Sequence, residues 1–302
     1  MKTTIRKRGS TSLSITLPPL DKKTALVVEG GAMRGVFSTG ILDGFLAHNL
    51  KPFDMYIGVS AGASNLAAYL ANMPKRNLKI YGDYALRPEF INPWRFLRGG
   101  HLMDLDWLWE TTIDEIRLDI DQIRQASGKY IVVASDIARG TPVYLPGNHS
   151  DIEDMLLASS AIPLAFRRFP TINGKALADG GLSDALPIEK AISLGAKRIM
   201  VLRSRPENYA KSTGVTDLLL GHKYRDYPNV KRLLKGRAEK YNQSVALIRK
   251  PPAGVEILEV CYPNELTVSR FSKKRNEIYQ AYDAGVVASE SAIAQWMDES
   301  ME

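Results

Sequence analysis

The residue best placed to do chemistry is Ser60, which lies in the run Gly58-Val59-Ser60-Ala61-Gly62. An apolar segment precedes this run and an Ala- and Leu-rich segment follows it, so G-x-S-x-G stands between a predicted buried strand and a predicted helix. Small neighbours let strand and helix approach closely, and a serine on such a strained turn can attack an ester. The five-residue pattern by itself also fits a tight turn with a structural serine.

A second candidate element is the loop from Glu29 to Gly35, which reads EGGAMRG and connects a predicted strand to a predicted helix. Backbone N–H groups in such a loop can point at an anion. The pattern G-x-x-x-x-G-K-[ST] is absent, and G-x-G-x-x-G fails because Ala32 occupies its second glycine position. We therefore favour an oxyanion hole over a nucleotide site, and a purely structural glycine turn is the other alternative.

A serine nucleophile also needs a base. The chain has four histidines, His48, His101, His149 and His222. In the order Ser, acid, His of the α/β-hydrolases only His222 follows Asp179, and its basic, helical surroundings suit a catalytic imidazole poorly. Asp179 is the better candidate because it ends a predicted strand and precedes two glycines. An ordinary Asp-Gly turn is the alternative interpretation.

Four motifs in chain order together resemble the patatin-like phospholipase family. They are GGAMRG at 30–35, GVSAGA at 58–63, ASSAIPLAF at 158–166 and DGG at 179–181. The resemblance covers about residues 24–205 and implies an α/β fold, a three-layer α/β/α sandwich with a mostly parallel central sheet. It also implies hydrolysis of an acyl lipid or phospholipid through an acyl-enzyme, and we expect neither a metal nor a cofactor.

The resemblance assigns roles residue by residue. Ser60 matches the nucleophile, and Asp179 matches the general base of a Ser–Asp dyad that uses no histidine. The residues that match the oxyanion loop are Gly30, Gly31, Ala32 and Arg34. The glycines that support these motifs are Gly35, Gly58, Gly62, Gly180 and Gly181.

Two positions of the first loop depart from the family pattern. Ala32 stands where the family usually has a third glycine, and Glu29 stands where Asp is common. Alanine still supplies a backbone N–H, so we expect the loop to tolerate it. A strained backbone at Ala32 would weaken the oxyanion hole.

The elements around these motifs alternate between strands and helices up to about residue 205, which predicts a mostly parallel sheet covered on both faces. We expect a basic, flexible arm at 1–23, a catalytic domain at 24–205, and a basic, mainly helical extension with one strand at 206–302. The extension loosely resembles the C-terminal part of a bacterial subgroup of the family. Residues 269–297 read as largely helical, with an interruption around Asp283 to Gly285.

Charge bears on the partners of the chain. The net charge is +7, and nine Lys or Arg stand against two acids between His222 and Lys250. We favour a solvated helical surface, with peripheral contact to an anionic membrane as the alternative; no nucleic-acid-binding motif is present. The single Cys261 and the lack of a secretory signal or membrane-spanning stretch predict a cytoplasmic protein, at most peripheral to the inner face of the membrane.

Two further alternatives stay open. The aromatic residues between 80 and 109 form either a lid or apolar entrance for a lipid substrate, or ordinary core and loop packing, which is the interpretation we favour. They are Tyr81, Tyr84, Phe90, Trp94, Phe96, Trp107 and Trp109. The alternative function is a non-catalytic module that binds lipid or membrane through the basic extension.

Overall fold

A computed structural model describes residues 23–212, 224 and 227–298. The expected N-terminal arm, apart from Lys23, and His222 lie outside these residues. An eight-stranded sheet forms the centre of the described chain. The strands are β1 (Thr24–Val28), β2 (Met55–Val59), β3 (Lys129–Asp136), β4 (Thr141–Pro146), β5 (Thr171–Ile172), β6 (Lys175–Asp179), β7 (Arg198–Leu202) and β8 (Glu256–Val260).

Helices flank this sheet. They are α1 (Val36–Ala47), α2 (Ala61–Leu70), α3 (Arg76–Gly82), α4 (Pro93–Leu97), α5 (Leu105–Ile116), α6 (Ile120–Gln125), α7 (Ile152–Ser160), α8 (Ile188–Ser193), α9 (Pro228–Arg249) and α10 (Arg275–Asp298). A 3-10 turn at Ala32–Gly35 leads into α1. Across the described ranges, no helix has both the length and the apolarity that crossing a bilayer requires.

The strands follow the path β5, β6, β3, β2, β1, β7, β8, and β4 pairs with β3. The pairs β1–β2, β2–β3, β1–β7 and β7–β8 are parallel, whereas β3–β4, β3–β6 and β5–β6 are antiparallel. Parallel strands need crossover connections, and those between consecutive strands of this sheet contain α1 (β1 to β2), α2 to α6 (β2 to β3) and α9 (β7 to β8). The predicted mostly parallel sheet is confirmed.

Both faces of the sheet are buried, because alternate residues of each strand point to opposite sides. In β1, Leu26 and Val28 join a core with α1, α2, α7 and α10. Ala25 and Val27 join a second core with α8 and α9. The architecture is therefore the predicted three-layer α/β/α sandwich, with a helical C-terminal region.

The C-terminal helix α10 runs unbroken from Arg275 to Asp298, so the predicted interruption around Gly285 is wrong. That glycine lies where α10 crosses α1. A Cβ at Gly285 would stand 2.2 Å from the carbonyl oxygen of Phe37, and one at Gly40 would stand 2.1 Å from that of Tyr282. The glycine therefore permits close contact between two helices and does not end one.

We expect Gly285→Ala to lower the free energy of unfolding by about 1–3 kcal/mol, because the added methyl group overlaps the α1 backbone. Gly236→Ala is the matched control, since Gly236 lies in α9 and a Cβ there would meet no atom within 4 Å. The higher helix propensity of alanine should raise stability by about 0.5–1 kcal/mol at this position. Urea unfolding of both variants measures these changes in free energy. Equal changes in the two variants would contradict the close contact between α10 and α1 at Gly285.

Candidate active site

Strand β3 brings the two predicted catalytic residues together. Val59 at the end of β2 pairs with Val133, and Asp179 at the end of β6 pairs with the next residue, Ala134. β4 occupies one edge of β3 from Ile131 to Asp136. β2 and β6 therefore both pair with the other edge of β3, one after the other along the strand. Ser60 directly follows Val59, so the serine and the aspartate meet where these two strands end.

Ser60 lies on a strained turn between β2 and α2. Its backbone has φ 53° and ψ −127°, a conformation at positive φ that costs a non-glycine residue about 1–3 kcal/mol. The glycines on either side allow the close approach of strand and helix. A Cβ at Gly58 would stand 2.5 Å from the Cα of Ala63, and one at Gly62 would stand 2.3 Å from the carbonyl oxygen of Val28. The turn has the geometry predicted for a nucleophile elbow.

A second serine, Ser159, holds this turn against the sheet. The backbone N–H of Ser60 donates to Oγ of Ser159 at 2.8 Å, and that hydroxyl donates to the carbonyl oxygen of Val133 at 2.6 Å. Ser159 is fully buried at the end of α7. It belongs to the motif at 158–166, but sequence reasoning assigned it no role. A run of small residues carries no local signal for this contact, which only the packing of α7 creates.

The Asp179 carboxyl is held by its own loop. Its Oδ1 accepts the N–H of Gly181 at 2.7 Å. Burial raises the pKa of Asp179, and hydrogen bonds from the Ser60 hydroxyl and from Gly181 oppose this rise in part. Position 180 has no room for a side chain, because a Cβ there would stand 2.2 Å from the carbonyl oxygen of Val133. The carboxyl is therefore a stronger base than an exposed aspartate, next to the serine.

The glycine loop is attached to a serine that follows β7, Ser204. The Glu29 carboxylate accepts the Ser204 N–H at 2.8 Å, and the Ser204 hydroxyl donates to the carbonyl oxygen of Gly30 at 2.7 Å. Arg34 donates from Nε to the carbonyl oxygen of Ser204 at 2.9 Å. A Cβ at Gly31 would stand 2.6 Å from the Ser204 hydroxyl. Arg34 therefore anchors the loop, and burial with two nearby arginines lowers its pKa to about 10.

The glycine loop also lies directly against the serine, since a Cβ at Gly30 would stand 2.9 Å from the Cβ of Ser60. Among the described residues, none accepts a hydrogen bond from the N–H groups of Gly30, Gly31 or Ala32. The N–H of Ala61, at the start of α2, is likewise without an acceptor there. These donors are available to an oxyanion beside Ser60.

Ala32 occupies a backbone conformation that favours glycine, with φ 49°. The backbone at Ala32 is therefore strained, as considered above for an alanine at a position where the family usually has glycine. Alanine in this region costs about 1–2 kcal/mol. The packed turn at Ala32–Gly35 maintains it, and a Cβ at Gly35 would stand 2.5 Å from the hydroxyl of Tyr81.

The histidines whose positions are described lie elsewhere. His48 contacts the carbonyl oxygen of Gly44, His101 stacks on Phe166, and His149 is exposed. None of these three lines the cavity next to Ser60. Asp179 is thus the titratable group that the described fold places beside the serine.

A cavity with about 860 Å³ of empty space, its open mouth included, starts at Ser60 and Ala32 and extends between α3, α5 and α7. Its walls are mainly apolar, and the larger apolar and aromatic side chains are Met33, Ile80, Tyr81, Phe90, Met103, Leu105, Leu108, Trp109, Ile113, Leu118, Leu156 and Ile162. Arg76 and Glu153 also line the cavity, and Glu153 lies two helical turns from Ser160 along α7. Its mainly apolar lining suits an apolar ligand.

The aromatic residues between 80 and 109 divide between the two alternatives. Tyr81, Phe90 and Trp109 line the cavity, whereas Tyr84 is fully buried core. Trp94 on α4 does neither, since 73% of its surface is exposed. Tertiary packing therefore gives different roles to residues that the sequence could not separate.

Comparisons with known proteins find relatives along most of the chain. A family model described as "Patatin-like phospholipase" matches residues 26–192, and one described as a domain of unknown function (DUF6363) matches residues 227–299. "Uncharacterized protein YjjU" of Escherichia coli (strain K12) is 35% identical over 261 residues, which cover 81% of this chain and 70% of that protein. VipD from Legionella pneumophila aligns structurally with a TM-score of 0.43 at 14% identity, over 97% of this chain and 72% of that one.

We expect Ser159→Ala to destabilise the protein by about 1–3 kcal/mol, because it leaves the buried Ser60 N–H and Val133 carbonyl without their partner. Ser160→Ala is the control. Ser160 is the next residue in the chain, and its hydroxyl makes no hydrogen bond within the described ranges. It should change stability by less than about 0.5 kcal/mol. Equal urea midpoints for the two variants would show that Ser159 does not hold the turn.

Proposed function

Because the chain belongs to the patatin-like phospholipase family, as its motifs predicted, we propose that it is a lipid acyl hydrolase that uses Ser60 and Asp179 as a catalytic dyad. The observation that carries the proposal is their meeting on β3, where Val59 and Asp179 pair with consecutive residues. A strained serine, a buried carboxyl and free backbone donors in one place are the nucleophile, base and oxyanion donors that acyl transfer requires.

In the proposed reaction, the Asp179 carboxylate accepts the hydroxyl proton of Ser60 as Oγ attacks the ester carbonyl carbon. N–H groups of Gly30, Gly31 and Ala32 donate to the oxyanion that forms. The C–O bond of the ester breaks, the alcohol leaves with the proton from Asp179, and an acyl-Ser60 remains. Asp179 then takes a proton from water, which attacks the acyl-enzyme, and the carboxylic acid leaves as the proton returns to the serine.

The cavity supports a fatty-acyl ester as the substrate class. An acyl chain whose carbonyl carbon lies at Ser60 would extend past Phe90 and Leu108 among apolar side chains. Burial of each methylene in such a site contributes about 0.8 kcal/mol, so medium and long chains should bind better than short ones. A cytoplasmic location remains a prediction from the sequence.

Substitution of either member of the dyad tests the proposal. We expect Ser60→Ala and Asp179→Asn each to reduce hydrolysis of a short-chain p-nitrophenyl ester by at least about 10²–10⁴-fold, with circular dichroism unchanged. His222→Ala is the control and should retain the wild-type rate. Loss of activity in that control, with Asp179→Asn still active, would contradict the dyad.

A fluorophosphonate probe separates the enzyme from the alternative function. The wild-type protein should be labelled at Ser60, and Ser60→Ala should not be labelled. An unlabelled, correctly folded protein that still binds lipid vesicles would instead support a non-catalytic lipid-binding module.

The pH dependence follows from the direction of the Asp179 pKa shift. The base acts only when ionised, and burial raises its pKa above the ordinary value of about 4. We therefore expect kcat/KM to fall as the pH decreases, with an acid limb centred above pH 4 and activity retained on its alkaline side. A pH profile of kcat/KM at constant ionic strength measures this limb.

Asp184→Asn provides the control for this profile. Burial also raises the pKa of Asp184, but its carboxyl accepts a hydrogen bond from Tyr144 rather than contacting Ser60. The acid limb should stay in place in this variant. A limb at or below pH 4 in the wild type, or one that moves with Asp184→Asn, would exclude Asp179 as the titrating base.

A further inference from the structure

The loop that contains α4 exposes two large apolar side chains. Trp94 is 73% exposed and Leu97 is 74% exposed. They stand three residues apart on one helix, so they lie on the same face. We call this pair the apolar tip. Two such side chains side by side in water are unfavourable unless something covers them.

The loop is built so that the apolar tip stays outside. Arg95, between the two tip residues, points inward and donates to the carbonyl oxygens of Glu89 at 2.6 Å, Phe90 at 3.0 Å and His101 at 2.9 Å. The Asn92 side chain caps the start of α4 by accepting the Arg95 N–H at 3.0 Å. These bonds tie both ends of the loop together. These hydrogen bonds fix α4 in the orientation that exposes the apolar tip.

The base of the same loop forms part of the acyl-chain cavity. Phe90 and Met103 line that cavity, and Ile91 forms a β-bridge with Met103 directly below the loop. The apolar tip therefore projects from the wall of the cavity that begins at Ser60. A surface that contacts the tip would lie close to the cavity on the same side of the sheet.

Cations flank the apolar tip. Arg98 follows Leu97 and is exposed, without an ion pair within the described ranges. The Arg167 guanidinium lies over the Phe96 ring, 4.7 Å from its centroid, and donates to the Phe96 carbonyl oxygen at 2.8 Å. Glu89 is the exposed acid at the base of the loop. A tryptophan and a leucine beside arginines match the boundary between the headgroups and acyl chains of an anionic bilayer.

We propose that this protein docks on anionic phospholipid bilayers through the apolar tip, with Trp94 and Leu97 inserted at the interface and Arg98 and Arg167 facing phosphate groups. The basic helix α9 is not the docking element. It packs with α8 against the other face of the sheet, away from the cavity, and Lys240 there is paired with Glu189.

A second copy of the chain is a poorer occupant of the apolar tip. A stable dimer buries about 800 Å² on each partner, whereas an aromatic side chain buries about 150–250 Å². Two side chains therefore provide too little area for a dimer interface. They suffice for a bilayer, because insertion adds to electrostatic attraction by the flanking arginines.

The test measures binding of full-length Ser60→Ala protein to sedimented vesicles made of equal parts phosphatidylcholine and phosphatidylglycerol. Use of Ser60→Ala keeps the result independent of the proposed catalysis. The further double change Trp94→Ala with Leu97→Ala should reduce the partition coefficient at least about tenfold. Val287→Ala is the matched control, since Val287 on α10 is 69% exposed and distant in sequence from the tip, and should bind like the parent.

Charge and fold have separate controls. Arg98→Glu should weaken binding to the anionic vesicles and leave binding to pure phosphatidylcholine vesicles unchanged. The thermal midpoint of each variant should match that of the parent, because every altered side chain is exposed. The conservative change Trp94→Phe should retain more binding than Trp94→Ala, because an interfacial aromatic ring is the feature that matters.

Three results would overturn the proposal. The first is equal vesicle binding by the parent and by the double variant at the tip. The second is loss of binding on Lys235→Glu in α9 but not on the tip variants. The third is a change in size-exclusion elution for the tip variants with vesicle binding unchanged, which would assign the tip to self-association. Failure of ester hydrolysis by the wild type would contradict the proposed function and leave the docking result intact.

Discussion

The structure depends on the way β3 is shared. One edge of β3 first pairs with β2 and then, one residue later, with β6 from the opposite direction. The end of β2, followed by the turn at Ser60, therefore lies next to the end of β6 at Asp179. The carbonyl oxygen of Val133 lies at this junction, where it accepts the Ser159 hydroxyl and where Gly180 passes within reach. A shift of one residue in either register would separate Ser60 from Asp179.

Close approach is the second constraint, and it explains why small residues recur at the site. The turn at Ser60 and the loop at Ala32 both hold non-glycine residues at positive φ. Such conformations persist only where the surroundings leave no alternative. Here the surroundings are the contacts of Gly58 and Gly62 with neighbouring backbone and the three hydrogen bonds around Ser204. The two strained turns lie side by side, since a Cβ at Gly30 would stand 2.9 Å from the Cβ of Ser60.

The C-terminal region supports this arrangement from behind. β8 extends the sheet beyond β7, and α10 crosses α1 at a glycine contact. The glycine loop is bonded just after the end of β7 and leads into α1. Both neighbours of the loop therefore contact C-terminal elements, β7 through β8 and α1 through α10. The same side of the sheet carries the cavity and the loop with the apolar tip. The proposed catalytic residues, the apolar cavity and the proposed membrane contact therefore lie on one side of the sheet.

The sequence alone determined the family and the layered α/β fold, and it identified Ser60 and Asp179 as candidate catalytic residues. These features could be predicted because strand, turn and glycine motifs depend on residues that are adjacent in the sequence. It did not determine what depends on packing between distant segments. Ser159 and Ser204 acquire their roles only when α7 and β7 lie beside the two loops. Gly285 looked like a helix break, since only the position of α1 reveals why a side chain is excluded there. Trp94 differs from Trp109 only in whether tertiary contacts cover it.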